Sequence, residues 1–315
     1  MEGFLLFLVS VFSLGSIYVI LCLALNLESG VGGLWDLGIV SFFGIGAYAY
    51  TLIIAPPALS YQHYVLGLEL PTIFGLLLAI VAGGFTAYMI GLPSLKLKRE
   101  YFLITTIAFS EVIRQIFSNE NWLTNGVAGI YSLKQPLRGW FDAQTYSIVL
   151  LIIFFLITII CFIIVQKLTL SPYGRALKAI RENESLSSTA GINPQKFNQS
   201  VFIIAGCLSG LAGALYVWFN TLIVPHQFSP EITFFVWTAV IIGGIGNNKG
   251  AFIGGLVFVV LHDLLRFLQI SPDLALVISS LKISIIGIVL VLILRFRSEG
   301  LIPERPIIIN RDKRA

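Results

Sequence analysis

Three acidic residues lie in or beside strongly apolar stretches of the sequence, where a charged group usually has a function. Glu111 and Arg114 are three residues apart, so on a helix they would neutralise each other as a structural pair. Asp263 follows His262 near the end of an apolar run, which favours a structural role as well. Asp36 begins a Gly-rich run and is ambiguous. No stack of acids predicts a proton relay.

The Gly-rich segment Gly243–Gly250 (GGIGNNKG) superficially resembles a phosphate-binding loop. That loop requires a Gly directly before its Lys and a Ser or Thr directly after it. Here Lys249 follows Asn248 and precedes Gly250, so the pattern fails. We therefore expect a chain that cannot hydrolyse ATP by itself and has no catalytic residues.

The three cysteines, Cys22, Cys161 and Cys207, all lie inside apolar stretches. No Cys-X-X-Cys pair or Cys/His cluster accompanies them, so the sequence supports neither a disulfide framework nor a zinc site. We expect no metal and no cofactor.

The composition defines the class of protein that must position these residues. Of 315 residues 57% are hydrophobic and 11% are charged, against roughly 25% charged in ordinary soluble domains. This excludes a soluble enzyme, a disordered chain and a nucleic-acid-binding module. One membrane span takes about 20 apolar residues, so about 180 apolar residues can supply eight or nine spans.

Nine apolar runs are visible along the chain, at Phe4–Leu25, Leu34–Ile54, Thr72–Leu92, Tyr101–Phe117, Tyr146–Val165, Ser200–Leu222, Ile232–Ile245, Ala251–Leu265 and Ala275–Leu294. The seventh and eighth are short and flank a Gly-rich turn, which is typical of broken or re-entrant helices. Gly residues spaced four apart, such as Gly206 and Gly210, predict close helix contacts within the chain or between subunits. We expect an all-α, polytopic membrane bundle in a single domain, residues 1–315.

The basic residues predict the orientation, because Lys and Arg accumulate on the cytoplasmic side. With the polar loop of about 166–199 placed inside, 15 of the 20 Lys and Arg residues fall inside and three outside. The C-terminal tail, about 295–315, is then cytoplasmic. Nine spans would leave the N-terminus outside.

The same loop contains one amphipathic segment. Ser171-Pro172 is a good helix start, and Tyr173, Leu177 and Ile180 follow on one apolar face. Gly191 and Asn193-Pro194 are predicted to end the helix. Such a helix either lies in the lipid interface or docks in a groove of a cytoplasmic partner. The mixed charges of residues 181–184 favour a protein partner over anionic lipid.

At this point the residues resemble a known family, the permeases of branched-chain amino acid ABC transporters, which include urea permeases. The segment Ser171–Glu184 (SPYGRALKAIRENE), followed by Ala190–Asn193, resembles the family's coupling loop. Phe42–Tyr48 (FFGIGAY) and Gly210–Tyr216 (GLAGALY) resemble further family motifs. The coupling loop and the external Thr124–Gly126 loop are similar to the longer, M-type subunit.

The sequence departs from the family pattern at three places. Ile39 stands where the family often has His, and Asn125 where it commonly has Gly. Both positions bear on substrate choice in our interpretation. Ser298 replaces a Pro that is usual in the tail, which we do not connect with substrate.

The resemblance implies a permease subunit of a bacterial inner-membrane importer for branched-chain or other neutral amino acids. It implies as partners a second permease subunit, two cytoplasmic ATP-binding subunits and a periplasmic solute-binding protein. A urea permease is the alternative, and an ion-driven carrier is a distant one. The residues expected to contact the ATPase or to shape the coupling loop are Gly174, Arg175, Ala176, Leu177, Ile180, Arg181, Glu182, Asn183 and Gly191.

A small neutral substrate needs only a few hydrogen bonds along its path, because the binding protein selects it. The polar residues that flank the second apolar run and the external loop are candidates for that path. They are Asn26, Asp36, Ser41, Thr124 and Gly126.

Overall fold

The computed structural model describes residues 2–58, 62–131 and 133–267, and from 284 to 304 only 284, 287–288, 291–292, 295–297 and 299–304. The predicted last run, Ala275–Leu294, lies largely outside these residues, as do residues 305–315 of the tail. The described chain is an all-α bundle, as the sequence predicts.

Eleven α-helices are described: α1 Glu2–Leu25, α2 Ile39–Ile54, α3 Thr72–Ser94, α4 Arg99–Asn119, α5 Asn121–Thr124, α6 Ala143–Leu170, α7 Pro172–Glu182, α8 Glu184–Thr189, α9 Pro194–Asn220, α10 Glu231–Gly243 and α11 Asn248–Phe267. A π-helix, Asn26–Val31, continues α1, and 3-10 turns occur at Gly126–Ala128, Arg138–Trp140 and Pro225–Phe228. The apolar run was predicted to end at Val165, but α6 continues to Leu170. The first residues of the predicted loop of about 166–199 are therefore helical.

Four described helical stretches are long and apolar enough to cross a membrane: Gly3–Val31, Thr72–Ser94, Gln144–Leu170 and Pro194–Asn220. Ile39–Ile54 and Glu231–Gly243 are shorter apolar helices. At about 1.5 Å per residue α10 is only about 20 Å long, less than the bilayer's hydrocarbon core of about 30 Å. The prediction of short segments among the spans is therefore correct for α10.

The core of the bundle is built around α9, which packs against α2 and α3 through residues without large side chains. Gly206 and Gly210 of α9 face Gly83 on α3, and a Cβ atom added at any of these three would overlap backbone or Cβ atoms of the other helix. Gly46 of α2 touches the Gly210 backbone in the same way. The absence of side chains lets the three helix axes approach closely.

A second group of contacts joins α1 to α6 and α11, and α10 to α11. Gly243 and Gly250 face each other across the turn between α10 and α11, and Gly254 faces the Ala239 carbonyl. The predicted close approach at Gly-X-X-X-Gly pairs is thus made inside this chain. Gly244 and Gly246, with φ of 114° and 85°, form the turn in a conformation that L side chains rarely adopt.

The bundle has two ends, which differ in how many basic residues they carry. We call one the α7 end: it carries α7, α8, the α3–α4 connection, the α10–α11 turn and residues 299–304. The opposite end carries the ion pair Glu69–Lys134 and an isolated β-bridge between Ile130 and Ile223. The described basic residues that the sequence assigns to one side lie at the α7 end.

The close packing of α2 on α9 generates the first prediction. In Gly46→Ala the new methyl group meets the Gly210 backbone, which cannot rotate away as a side chain can. We expect the free energy of unfolding to fall by about 1–3 kcal/mol, measured by thermal unfolding of the purified chain in detergent. Gly139→Ala is the control, because nothing lies within 4 Å of its added Cβ; equal midpoints for the two variants would contradict the prediction.

Candidate functional site

Helix α7 begins where the sequence predicts and presents its apolar face to the bundle. The Ser171 hydroxyl accepts a hydrogen bond from the Gly174 amide at 3.5 Å, and Pro172 occupies the first turn. Gly174, Leu177 and Ile180 are buried. Gly174 packs against the end of α6 so tightly that a Cβ would overlap the Thr169 carbonyl. The amphipathic helix is therefore fixed to the bundle along one side.

The prediction that one helix continues to Gly191 is wrong, because the chain forms two helices. Asn183 is extended (φ −157°, ψ 104°) and its side chain caps α8 by accepting from the Leu186 amide. Gly191, with φ of 84°, follows the end of α8. The Asn193 side chain then accepts from the Lys196 amide and starts α9. Asn followed by Pro is thus a helix start here, for the same reason that Ser171-Pro172 is one.

Tyr173 joins α7 to α9. Its ring stacks on Phe197 with centroids 5.5 Å apart, and its hydroxyl is 2.7 Å from the Ser200 hydroxyl. Burial raises the pKa of Tyr173, while the bond to Ser200 acts in the opposite direction. Tyr173 thereby holds α7 against the start of α9.

The Arg181 side chain turns inward from α7. Its Nη1 donates to the Gly30 carbonyl in the π-helix and lies 3.0 Å from the Glu304 carboxylate. Lys178 Nζ reaches the other Glu304 oxygen at 2.6 Å. Glu304 in turn belongs to a short segment fixed to the α10–α11 turn, where the Ile302 amide donates to the Gly243 carbonyl at 2.9 Å. We call the group Gly30, Lys178, Arg181 and Glu304 the Arg181 cluster.

The outer face of α7 and α8 carries the remaining charged residues. Arg175, Glu182, Asn183 and Glu184 are exposed, and the Glu182 side chain is 72% accessible although it contacts Arg181. Ala176 is half-buried. The residues predicted for partner contact thus divide into a buried group that holds the helix, the inward-facing Arg181 and an exposed outer face.

Asn26 begins the π-helix and forms a buried polar network at the α7 end. Its Oδ1 accepts from the Gly246 amide at 2.8 Å, and its Nδ2 donates to Asn248 Oδ1 at 2.9 Å. Asn248 then donates to Gln166 and Thr169, each at 2.9 Å. The network joins α1, α6 and the α10–α11 turn in one place.

Asp36 and Ser41 lie in and after the non-helical segment between the π-helix and α2. The Gly38 amide donates to Asp36 Oδ1 at 2.7 Å, and the Ser41 hydroxyl donates to the Gly38 carbonyl at 2.6 Å. Both side chains are buried. Trp237 of α10 donates to the Asp36 backbone carbonyl at 2.7 Å, so α10 also holds this segment.

Glu28 is a buried acid that the sequence interpretation missed. It is 0% exposed, and its carboxyl group interacts with that of Asp36. Both Glu28 oxygens and Asp36 Oδ2 lack a hydrogen-bond donor among the described residues. Carboxylates only accept when ionised, so two that face each other need a shared proton or a cation. The sequence did indicate this residue, since Glu28 comes three residues after the end of the first apolar run and eight residues before Asp36.

Two of the predicted path residues lie at the opposite end and have structural contacts. The Thr124 hydroxyl donates to the Phe117 carbonyl at 2.7 Å. Gly126 has a φ of 57°, and an added Cβ would overlap the Asn121 side chain. The five predicted path residues therefore do not form one cluster. Asn26, Asp36 and Ser41 are near one another in sequence, whereas Thr124 and Gly126 lie at the opposite end of the bundle.

Glu111 and Arg114 of α4 form an ion pair, with Arg114 Nε donating to Glu111 Oε2 at 2.9 Å. Gln115 also donates to Glu111, at 2.8 Å. The predicted structural pair is therefore present, on a helix that is not among the described stretches apolar enough to cross a membrane.

Comparison with known proteins finds a family that matches this chain. Residues 7–294 match the model of the branched-chain amino acid transport system permease component. The chain is 27% identical to the high-affinity branched-chain amino acid transport system permease protein LivM of Escherichia coli, over 94% of this chain and 70% of the relative. It is 30% identical to a probable LivM of Methanocaldococcus jannaschii, over 93% and 92%. It is 28% identical to LivH of Salmonella typhimurium, over 81% and 85%. No solved structure matches.

The Asn26 network generates the second prediction. Asn26→Ala leaves the Gly246 amide and Asn248 Oδ1 without these partners in a buried site, which costs about 1–3 kcal/mol. We expect a lower thermal midpoint for the purified chain. Asn119→Ala is the control, since it removes an exposed amide that donates to the side chain of Gln115 on the same helix. A midpoint as high for Asn26→Ala as for this control would show that the network does not stabilise the bundle.

Proposed function

The chain belongs to the permease family of branched-chain amino acid transport systems, and we propose that it is the M-type membrane-spanning subunit of an ATP-powered importer. Relatives named LivM support this choice, since they match over 93–94% of the chain, whereas LivH matches over 81%. The proposed cargo is a branched-chain or related neutral amino acid, in line with those names.

We propose that a second permease subunit, two ATP-binding subunits and a solute-binding protein complete the transporter. The α7 end then faces the cytoplasm, because the described basic residues concentrate there. The outer face of α7 and α8 meets an ATP-binding subunit, and the opposite end receives substrate. The chain needs no catalytic group of its own in this arrangement, because the ATP-binding subunits supply the energy.

The observation that carries this proposal is the inward contact of Arg181. The exposed face of α7 can bind a moving partner, and Arg181 connects the same helix to the Gly30 carbonyl in the first span. Closure of the ATP-binding subunits would displace α7, and the Arg181 cluster would transmit the displacement to the π-helix and to the α10–α11 turn. Tyr173 would carry it to α9.

The third prediction separates binding of the ATP-binding subunits from transmission of the α7 displacement into the bundle. The exposed pair Arg175→Ala/Glu182→Ala should weaken retention of the ATP-binding subunits. Arg181→Ala should leave them bound while the number of ATP molecules hydrolysed per substrate molecule transported rises about tenfold. The double variant Arg181→Ala/Glu182→Ala should show both losses. The measurements are subunit co-purification, ATP hydrolysis and uptake by the reconstituted complex.

Lys196→Ala is the matched control for these variants, since Lys196 is exposed at the start of α9, on the same end of the bundle. Normal coupling in Arg181→Ala would exclude the Arg181 cluster as the transmission path. Unchanged uptake and hydrolysis in the double variant would exclude both roles.

We propose that the translocation path passes the segment between the π-helix and α2. A transported amino acid carries an ammonium group, and the Glu28–Asp36 pair offers carboxylates that lack donors among the described residues. The segment is held by contacts from Thr106 and Trp237, and the adjoining π-helix is held by Arg181. Movement of α7 is therefore positioned to open or close this part of the path.

The fourth prediction concerns this acid pair. Asp36→Asn keeps the side-chain size but removes the charge, and we expect uptake to slow about tenfold while the complex still assembles. Glu28→Gln removes the carboxylate of the other member of the pair and should slow uptake as well. Glu100→Gln is the control, since Glu100 is exposed at the α7 end. Wild-type uptake by Asp36→Asn would remove Asp36 from the path.

A further inference from the structure

A cleft of about 440 Å³ opens at the α7 end, beside the Arg181 cluster. Its walls are residues 32–35 after the π-helix, residues 95–99 at the α3–α4 connection and the start of α4, and side chains of α7, α8 and α9. The proposed transport mechanism uses Arg181 and the segment after the π-helix, but it gives no role to the basic residues of the α3–α4 connection that form the other wall.

The cleft is strongly basic. Lys96, Lys98 and Arg99 line it, all three are exposed, and none forms an ion pair with a described carboxylate. Arg181 also lines the cleft, but it is already paired with Glu304. Glu184 is the single acid of the lining. Three positive charges on one wall that have no carboxylate partner among the described residues are suited to an anionic ligand.

An amphipathic ring and an apolar surface adjoin these charges. The Arg99 guanidinium carbon lies 4.2 Å from the Trp35 ring centroid, and Trp35 remains 41% exposed. Trp in such a position is typical of the level of the lipid headgroups. Beyond the cleft the outer faces of α3 and α4 carry exposed apolar side chains, among them Met89, Leu92, Tyr101 and Ile104.

We propose that this cleft binds the phosphate headgroup of an anionic phospholipid. Lys96, Lys98 and Arg99 contact the phosphate, the Trp35 ring lies at the glycerol level, and the acyl chains follow the exposed apolar faces of α3 and α4. A basic pocket at the end of membrane helices recognises a headgroup in this way. A soluble phosphate would use the charges but not the adjoining apolar surface, so the exposed apolar side chains of α3 and α4 favour a lipid.

The purified full-length chain, titrated with phosphatidylglycerol or with phosphatidylcholine of the same acyl chains, tests the proposal by native mass spectrometry. We expect preferential binding of phosphatidylglycerol, weakened about fivefold for each cation removed in Lys96→Gln, Lys98→Gln and Arg99→Gln. Lys249→Gln is the control, because Lys249 is exposed at the same end but lies outside this cleft. Equal affinity for the two lipids, or an equal loss in Lys249→Gln, would overturn the site.

A second measurement uses Trp35 without changing any cation. Phosphatidylglycerol with brominated acyl chains should quench more fluorescence in the wild type than in Trp35→Phe. The same quenching in both proteins would place the lipid elsewhere. Glycerol phosphate is the soluble competitor: displacement of the lipid at equal concentration would show that the apolar faces contribute nothing and would replace the lipid by a soluble anion.

Discussion

The rest of the structure depends on one constraint: the chain breaks its helix between α1 and α2 inside the bundle, so the free backbone groups there need partners from the protein. Three different helices supply these partners. Arg181 donates to the Gly30 carbonyl, the Trp237 indole to the Asp36 carbonyl, and the Thr106 hydroxyl accepts from the Leu37 amide at 3.0 Å. Helices α7, α10 and α4 are thereby tied to one short segment, which makes it the common point of the bundle.

This constraint explains which parts of the fold could be predicted from sequence. Hydrophobic runs and Gly spacing depend on local composition, so the helices along the apolar runs, the short α10 and the close Gly contacts were predictable. The predicted number of eight or nine spans is not reached in the described residues, where four stretches are long and apolar enough. The second run was predicted to begin at Leu34, but α2 begins at Ile39. Residues 34–38 are apolar apart from Asp36 and Gly38, and their non-helical course is set by distant partners such as Trp237. A pattern along the chain does not contain that information.

In the candidate site, too, features set by the local sequence were predictable and features set by distant residues were not. The start of α7 was predictable because Ser171 caps it locally, and its buried face followed from residue spacing. The inward direction of Arg181 was not, because the Gly30 carbonyl that it binds is 151 residues away. Asn183 was grouped with the charged surface of one helix, yet its side chain begins a second one. Glu28 was overlooked because the first apolar run was taken to end at Leu25, whereas the π-helix carries the helical stretch on to Val31.

The position of Arg181 also connects the two proposed sites physically. Gly33, with a φ of 77°, packs so closely on the Arg181 side chain that a Cβ would overlap it. Gly33 and Arg181 both line the basic cleft, and Arg181 also holds the π-helix that contains Glu28. A headgroup in the cleft would therefore contact the walls that α7 must move. Two ligands that stabilise the same arrangement of one element influence each other's binding equally, so a lipid bound in the cleft and a substrate in the proposed path would be coupled through this arginine.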